Sequence, residues 1–246
     1  MAGMAGLAAA LASGMVLVGP GVLERREASK PTKEVAVPAF QLDRLPVTNA
    51  EFLAFAIATP EWRRDRAPHL FVDERYLSRW ESPSSLGVDA DPEAPVVFVS
   101  WFAARAYCAS RGARLPTVDE WELAAQASET SPRGDRDPEW RQRVLDWYAK
   151  PTPPRLPRVG HGKPNFWKVF DLHGLVWEWV FDFNSELVEG GGRGASSQFC
   201  GGGALEGTAD DYAAFMRKAF RSSLRARYTA ASLGFRCAVD APKGKR

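Results

Sequence analysis

The sequence has few of the residues from which metal and redox centres are usually built. It contains three cysteines and three histidines in 246 residues. The cysteines are Cys108, Cys200 and Cys237, and their spacing matches no zinc knuckle, CxxC redox pair or haem attachment motif. The common zinc-ribbon, thioredoxin-like and c-type haem proteins are therefore excluded.

The sequence also lacks the clustered basic charge of a nucleic-acid-binding domain. Its 32 Lys and Arg residues are balanced by 30 Asp and Glu residues, which leaves a formal net charge of +2. The longest basic run, residues 63–66, is interrupted by Asp65 and is typical of a solvated surface. We therefore expect no nucleic-acid partner.

The first charged residue of the chain is Glu24. An apolar run followed by charge is typical of a secretory signal or an N-terminal anchor, so residues 1–28 are predicted to be one of these. This predicts an exported, periplasmic protein, with membrane attachment only through the N-terminal segment. No Lys or Arg precedes the run, and no small-x-small cleavage site is evident, so a disordered tail or a mis-assigned start codon is the alternative. No later segment is long and apolar enough to span a bilayer.

The remaining chain has the pattern of one compact α+β domain with short elements and long loops. Apolar residues make up 45% of the chain and include nine tryptophans, which is enough for a substantial core. Residues 29–38 are predicted to be a linker, residues 39–240 the domain and residues 241–246 a basic tail. Loops are predicted over 59–91 and 128–158, and short strands over 95–100, 169–171, 177–181 and 235–239.

Two helix starts are predicted from capping boxes. Thr48 is followed three residues later by Glu51, and Thr117 is followed three residues later by Glu120. In this motif each side chain pairs with the backbone amide of the other residue, which satisfies two amides at the helix start. Helices are therefore expected after Thr48 and after Thr117, the second ending near residue 127.

Two further helices are predicted from other local features of the sequence. Ser100 can cap a helix that runs through Cys108 and ends at Gly112, because serine suits the start and glycine the end of a helix. A fourth helix is predicted from Ala209 to about Phe220, between the last two predicted strands.

Six segments in a fixed order resemble the formylglycine-generating enzyme, or sulfatase-modifying-factor, superfamily. They are PVTNAEF at 46–52, VFVSW at 97–101, ARLPT at 113–117, PN at 164–165, DLHGLVWEW at 171–179 and LGFRC at 233–237. Each is weak alone, but together they span roughly residues 40–239. The resemblance implies a C-type-lectin-like α+β fold that is low in regular secondary structure.

The resemblance implies a structural calcium site at Asp171, Gly174, Val176 and Glu178. Two carboxylates and intervening carbonyl oxygens around a turn suit the all-oxygen shell that calcium prefers. Leu175 stands where the family usually has asparagine, so the local geometry is expected to differ. The alternative is that both carboxylates only hydrogen-bond backbone amides.

The resemblance also implies a disulfide between Cys108 and Cys237, which would tie the second helix to the last strand. A bond that closes so long a loop is expected to stabilise the fold by about 4 kcal/mol. The alternative is a pair of buried free thiols, as expected in the cytosol, so the disulfide and export depend on each other.

The family's oxidases carry two cysteines, five residues apart, that bind copper(I) as soft thiolate ligands. In this chain Glu206 and Asp211 stand at or near those positions. Carboxylates are hard ligands and cannot replace a dithiolate site, so copper binding and formylglycine synthesis by the usual mechanism are not expected. Cys200 lies upstream of the glycines and is a catalytic candidate only with another ligand or metal.

A second branch of the superfamily, the iron-dependent sulfoxide synthases, needs a three-histidine site that includes a pair on one helix. His69, His161 and His173 are far apart in the sequence and lie on none of the predicted helices. This branch is therefore excluded. His173, within the turn of the predicted calcium segment, is expected to have a structural role.

Arg221 and Arg225 fit the Arg-x-x-x-Arg pattern that precedes the last strand in the family. They are candidates for a cleft that holds an extended peptide or an anionic group. The alternative is an internal ion pair with a loop acid such as Asp210 or Glu206.

These features predict an exported accessory or maturation factor that binds a protein or peptide client without the family's oxidase chemistry. The segment 212–236 resembles a subgroup encoded beside copper nitrite reductases, which implies a periplasmic metalloenzyme as the client. Two alternatives stay open: an oxidoreductase that acts on protein or small-molecule thiols through an altered metal site, and a structural interaction module.

Overall fold

The computed structural model describes residues 14–25, 33–185 and 209–242. Within these ranges it has the α+β architecture that the sequence predicts. The α-helices are α1 (Asn49–Ala58), α2 (Trp101–Ser110), α3 (Val118–Ala125), α4 (Pro138–Tyr148) and α5 (Ala209–Ser223). The strands are β1 (Met15–Val18), β2 (Gly21–Arg25), β3 (Lys33–Val37), β4 (Phe40–Asp43), β5 (Trp177–Trp179), β6 (Leu233–Phe235) and β7 (Ala238–Asp240).

Two strands occupy part of the segment that was predicted to be a leader. β1 pairs antiparallel with β4, with Val18 opposite Phe40, and β2 pairs antiparallel with β3. Val18 is fully buried in the core. The predicted boundaries, a leader over 1–28 and a linker over 29–38, are wrong where they include these strands, because paired and buried strands belong to the folded domain. Residues 1–13 lie outside the described ranges.

Both predicted capping boxes are confirmed. At α1, the Glu51 amide donates to Thr48 Oγ1 at 3.3 Å and the Thr48 amide donates to Glu51 Oε2 at 2.8 Å. At α3, the corresponding distances between Glu120 and Thr117 are 3.2 Å and 2.8 Å. The two helices therefore begin where the sequence predicts.

The helix predicted after Ser100 is also confirmed. Ser100 caps α2, and Gly112 follows it with a φ of +68°, a left-handed conformation that glycine adopts without strain. The predicted helix from Ala209 is α5, which extends three residues beyond the predicted end at Phe220. None of the helices that the structure describes is long and apolar enough to cross a bilayer.

Three predicted segments differ from the structure. The predicted loop over 128–158 contains α4, which Asp137 caps and which has Pro138 at its first position. Residues 95–100 form no strand, and only Pro95 pairs, in an isolated bridge. Residues 169–171 form no strand either. Apolar side chains of these two segments, among them Val96, Val99 and Val169, are buried by packing against the core rather than by pairing in a sheet.

The last predicted strand is split between two sheets. β6 pairs parallel with β5, whereas β7 pairs antiparallel with β4, which lies between β1 and β7. Arg236 and Cys237 lie where the chain passes from one sheet to the other. The predicted disulfide is present there, with the sulfur atoms of Cys108 and Cys237 at 2.07 Å. It joins α2 to this crossing point inside the core.

Candidate functional site

The carboxylate of Glu178 lies in a fully buried ion pair. Glu178 is on β5 and Arg236 directly follows β6, the parallel neighbour of β5. Arg236 Nη2 is 2.7 Å from Glu178 Oε1, and Arg236 Nε is 2.8 Å from Glu178 Oε2. Trp121 Nε1 donates to Glu178 Oε2 at 2.7 Å. Both charged side chains are 0% exposed, so this pair holds the β5–β6 sheet against α3.

The guanidinium of Arg236 is fully satisfied by its surroundings. Besides Glu178, it donates to the carbonyl oxygens of Asp43, Arg44 and Phe170 at 3.1, 3.3 and 2.9 Å. Since an arginine has five N–H donors, these contacts provide an acceptor for each of them. The arrangement binds three separate segments of the chain to one buried cation.

The sequence predicts calcium at four residues of this region: Asp171, Gly174, Val176 and Glu178. Both oxygens of Glu178 are engaged by Arg236 and Trp121, and Asp171 accepts a hydrogen bond from the Gly160 amide. Across the described ranges, no three or more His, Cys, Asp or Glu side chains are grouped so that they could hold a metal ion. In this arrangement the carboxylate of Glu178 is poorly placed to bind calcium, because both of its oxygens are already engaged. Calcium binding stays a prediction, and these contacts do not favour it.

A second ionic group, here called the Glu122 cluster, joins α5 to α3. Arg217 Nη2 is 2.6 Å from Glu122 Oε2, and Arg221 Nη1 is 2.6 Å from Glu122 Oε1. Arg217 also donates to the hydroxyl of Tyr148 at 3.0 Å. The guanidinium of Arg221 lies 4.9 Å from the ring centre of Trp121. Two guanidiniums share one carboxylate, so the cluster carries an excess of positive charge.

Acid is expected to weaken the Glu122 cluster. Burial opposes ionisation of the carboxyl, but Arg217 and Arg221 outweigh burial and lower the pKa of Glu122 from 4.5 to about 2. Because the folded pKa lies below the unfolded value, the stabilisation is fully present above pH 4.5 and is lost as the pH falls towards 2. This shift corresponds to roughly 3 kcal/mol.

We therefore expect the free energy of unfolding to fall with acid more steeply in the wild-type chain than in a Glu122→Gln variant. Urea unfolding from about pH 5 down to about pH 2.5 covers the window of the titration. Other carboxyls titrate equally in both chains, so the difference between the two slopes reports Glu122. Parallel slopes would contradict the assignment.

His173 has the structural environment that the sequence analysis expects. Its Nε2 lies 2.8 Å from the carbonyl oxygen of Ala125. Burial, followed by the positive charge of Arg217, lowers the pKa of His173 from 6.5 to about 4, so the ring is neutral at pH 7. Because a carbonyl oxygen can only accept, Nε2 carries the hydrogen and Nδ1 is an acceptor. Nδ1 is buried and has no hydrogen-bond partner in the part of the chain that the structure describes.

Five arginines without an acidic partner among the described residues lie on segments that the backbone brings together; we call this surface the arginine face. Phe98 N donates to Ala230 O at 3.0 Å, and Trp101 N donates to Ala226 O at 2.9 Å. Asp73 N donates to Arg227 O at 3.1 Å. The arginine face is formed by Arg75, Arg79, Arg105, Arg225 and Arg227.

Aromatic rings lie among the cations of the arginine face. The guanidinium carbons of Arg75 and Arg79 are 4.8 and 5.6 Å from the ring centre of Phe98. Arg105 is 5.4 Å from the ring centre of Trp101, and Phe181, which is 46% exposed, lies 6.2 Å from the same ring. Cations over aromatic faces gain electrostatic attraction while they stay free to bind anions. The surface can therefore receive acidic and apolar groups together.

The two arginines predicted to form a cleft have different environments. Arg221 is buried and forms an internal ion pair, which was the alternative considered for it, although its acid is Glu122 rather than Asp210 or Glu206. A free anion-binding role for Arg221 is therefore wrong, because its side chain turns from α5 towards α3. Arg225 is exposed on the arginine face.

The predicted catalytic segment lies outside the part of the chain described by the structure. This holds for Cys200 and Glu206, and for the side chain of Asp211, whose backbone belongs to the first turn of α5. The prediction that this segment lacks the copper-binding cysteine pair rests on the sequence alone.

Of the residues in the Glu122 cluster, only Arg221 was identified from the sequence, with an internal ion pair as its alternative role. Arg217 and Arg221 are four residues apart on α5, so they share one helix face and could have been predicted to share a partner. Their partner Glu122 is separated from them by 95 and 99 residues in the sequence. Only the packing of α5 against α3 brings these charges together.

Comparison with known proteins places the chain in a family. The sulfatase-modifying factor enzyme 1-like domain family matches residues 4–241. The "Inactive C-alpha-formylglycine-generating enzyme 2" of Mus musculus is 32% identical over 69% of this chain and 67% of its own length. The "Formylglycine-generating enzyme" of Streptomyces coelicolor is 32% identical over 86% of this chain and 81% of its own length.

Two other similarities are more partial or more distant. The "Hercynine oxygenase" of Mycolicibacterium thermoresistibile is 35% identical over 44% of this chain, but over only 27% of its own length. Among solved structures, the "Structure of PvdO from Pseudomonas aeruginosa" covers 92% of this chain and 94% of that chain, with a TM-score of 0.48 and 19% sequence identity.

Proposed function

Because the chain belongs to the sulfatase-modifying factor enzyme 1-like domain family, we propose that it uses this scaffold to bind a polypeptide client. The client binds through an extended acidic segment, and the chain acts as an accessory or maturation factor without copper oxidase chemistry. A relative whose name describes it as inactive, 32% identical to this chain, supports a family role without that chemistry. The arginine face is the observation that carries the proposal.

The chemistry of the arginine face fits an acidic polypeptide. Guanidiniums bind carboxylates in a planar, two-pronged geometry, and they give up hydration more readily than ammonium groups. Asp73, in the same segment, accepts hydrogen bonds from the amide and the hydroxyl of Thr229 at 2.8 and 2.6 Å, and within the described ranges it forms no ion pair with these cations. Trp101 and Phe181 offer rings beside the charges, and such rings commonly anchor a bound chain.

Export and a metalloenzyme client are parts of the same proposal. The disulfide between Cys108 and Cys237 supports export, because such bonds persist in oxidising compartments and are rare in the cytosol. The resemblance of segment 212–236 to a subgroup encoded beside copper nitrite reductases supports a periplasmic metalloenzyme as the client.

The proposal is tested by binding of short peptides to the full chain. The probes are a fluorescent acidic peptide with one tryptophan and a lysine-rich peptide of the same length, titrated by fluorescence anisotropy at low and at physiological salt. We expect the acidic peptide to bind and the lysine-rich peptide not to bind. Replacing Arg105 and Arg225 by glutamine is expected to weaken binding about tenfold, as the loss of two partly exposed ion pairs implies.

The matched control replaces Arg155 and Arg158 by glutamine. Both are exposed, at 74% and 63% of the side chain, and lie outside the arginine face. This control removes the same amount of charge, so equal weakening by both double variants would overturn the assignment of the face. Oxygen consumption with thiol peptides in the presence of copper(I) would favour the oxidoreductase alternative instead.

A further inference from the structure

A cleft of about 200 Å³ lies between α4 and the segment that follows α3. It shares no residue with the arginine face or with the Glu122 cluster. Its far side is formed by the turn that contains His173 and by the loop around Lys163. The volume suits a small molecule rather than a folded partner.

One wall of the cleft is aromatic. Trp140 and Trp147 are two helical turns apart on α4, so their side chains leave the same face of the helix. The ring of His173 lies near both, with centre-to-centre distances of 5.5 and 6.4 Å. An apolar or aromatic group of a ligand would find a ready contact surface here.

The polar groups of the cleft include a cation and two acceptors that are unused among the described residues. Lys163 is exposed and has no ion-pair partner there. Asp171 accepts one hydrogen bond, from the Gly160 amide to Oδ2, and its Oδ1 accepts none from the described chain. The Nδ1 of His173 is a buried acceptor without a partner.

The charges that line the cleft balance one another. Arg143 and Glu129 form an ion pair at 3.2 Å, and Lys163 and Asp171 add one charge of each sign. A ligand with a single charge would therefore gain no net attraction from the cleft. A ligand that carries both charges can satisfy a cation and an anion of the protein at the same time.

We propose that this cleft binds a small zwitterion, namely a free α-amino acid with an aromatic or branched apolar side chain. The carboxylate of the ligand pairs with Lys163. The ammonium group donates to Asp171 Oδ1. The side chain of the ligand packs on Trp140 and Trp147.

The proposal is tested by calorimetric titration of the full chain with three ligands that share a phenyl group. L-phenylalanine carries both charges, 2-phenylethylamine lacks the carboxylate, and 3-phenylpropionate lacks the amine. The buffer contains a chelator, so that no metal ion competes for Asp171. We expect L-phenylalanine to bind at least about fivefold more tightly than either analogue, as one lost ion pair implies.

Two lysine variants identify the site of binding. Lys163→Gln is expected to weaken L-phenylalanine about fivefold and not to weaken 2-phenylethylamine, because only the first ligand has a carboxylate. Lys150→Gln is the matched control, since Lys150 is exposed near α4 but does not line the cleft. Absence of binding by all three ligands, equal affinities for them, or equal effects of the two variants would each overturn the proposal. These outcomes are independent of peptide binding at the arginine face.

Discussion

Replacing Glu178 by glutamine is expected to lower the free energy of unfolding by about 3 to 5 kcal/mol. The substitution keeps the shape of the side chain but removes the only carboxylate that contacts Arg236 in the hydrogen-bond network described above. The guanidinium is completely buried, so no water can replace the lost counter-charge. Urea unfolding at neutral pH measures the change.

A matched control makes this result specific to the buried pair. Glu93→Gln removes a carboxylate from the pair between Glu93 and Arg158, in which both side chains are largely exposed. Exposed ion pairs contribute little to stability, so this variant is expected to have the same free energy of unfolding as the wild-type chain. If the Glu178 variant also loses less than about 1 kcal/mol, the buried pair does not have the role assigned to it.

Removing the disulfide by replacing both Cys108 and Cys237 with alanine is expected to cost about 4 kcal/mol of stability. The bond joins residues 129 positions apart, so its loss releases a long loop in the unfolded chain. Both cysteines are also completely buried, and alanine leaves small gaps in the core. Urea unfolding of the oxidised wild type and of the double variant measures the difference.

The third cysteine provides the control for this experiment. The disulfide leaves Cys200 unpaired with either partner, so the unfolded, oxidised chain is expected to contain one reactive thiol out of three cysteines. Cys200→Ala is expected to abolish that thiol and to keep the disulfide. Three reactive thiols in the oxidised chain would contradict the pairing, and equal stability of the double variant and the wild type would contradict the stabilisation assigned to the disulfide.

The parts of the fold that the sequence predicts best are those decided by neighbouring residues. Both capping boxes depend on side chains and amides three positions apart, so they can be recognised before any tertiary contact is known. The helix α4 was missed although its signals are local as well. Asp137 caps it and Pro138 occupies its first turn, a combination favoured at helix starts. The charge and proline content of residues 128–158 is typical of a loop and opposes these two local signals.

The contacts that define the candidate sites could not be predicted in the same way. Glu178 could be identified as a carboxylate near a turn, but its partner Arg236 lies 58 residues later in the sequence. The resemblance to the family implies calcium at Glu178, and the guanidinium of Arg236 that contacts this carboxylate was not predicted. The role of Arg221 could not be predicted either, since the choice between an exposed and an internal side chain depends on how α5 packs.

The position of β4 between β1 and β7 has a consequence for the nascent chain. β1 leaves the ribosome shortly before β4, so one edge of β4 can pair early during translation. The other edge pairs with Ala238–Asp240, which are synthesised almost two hundred residues later. An unpaired strand edge is a template for pairing with other chains. Throughout most of its synthesis the growing polypeptide therefore carries an unpaired strand edge with which other chains can pair.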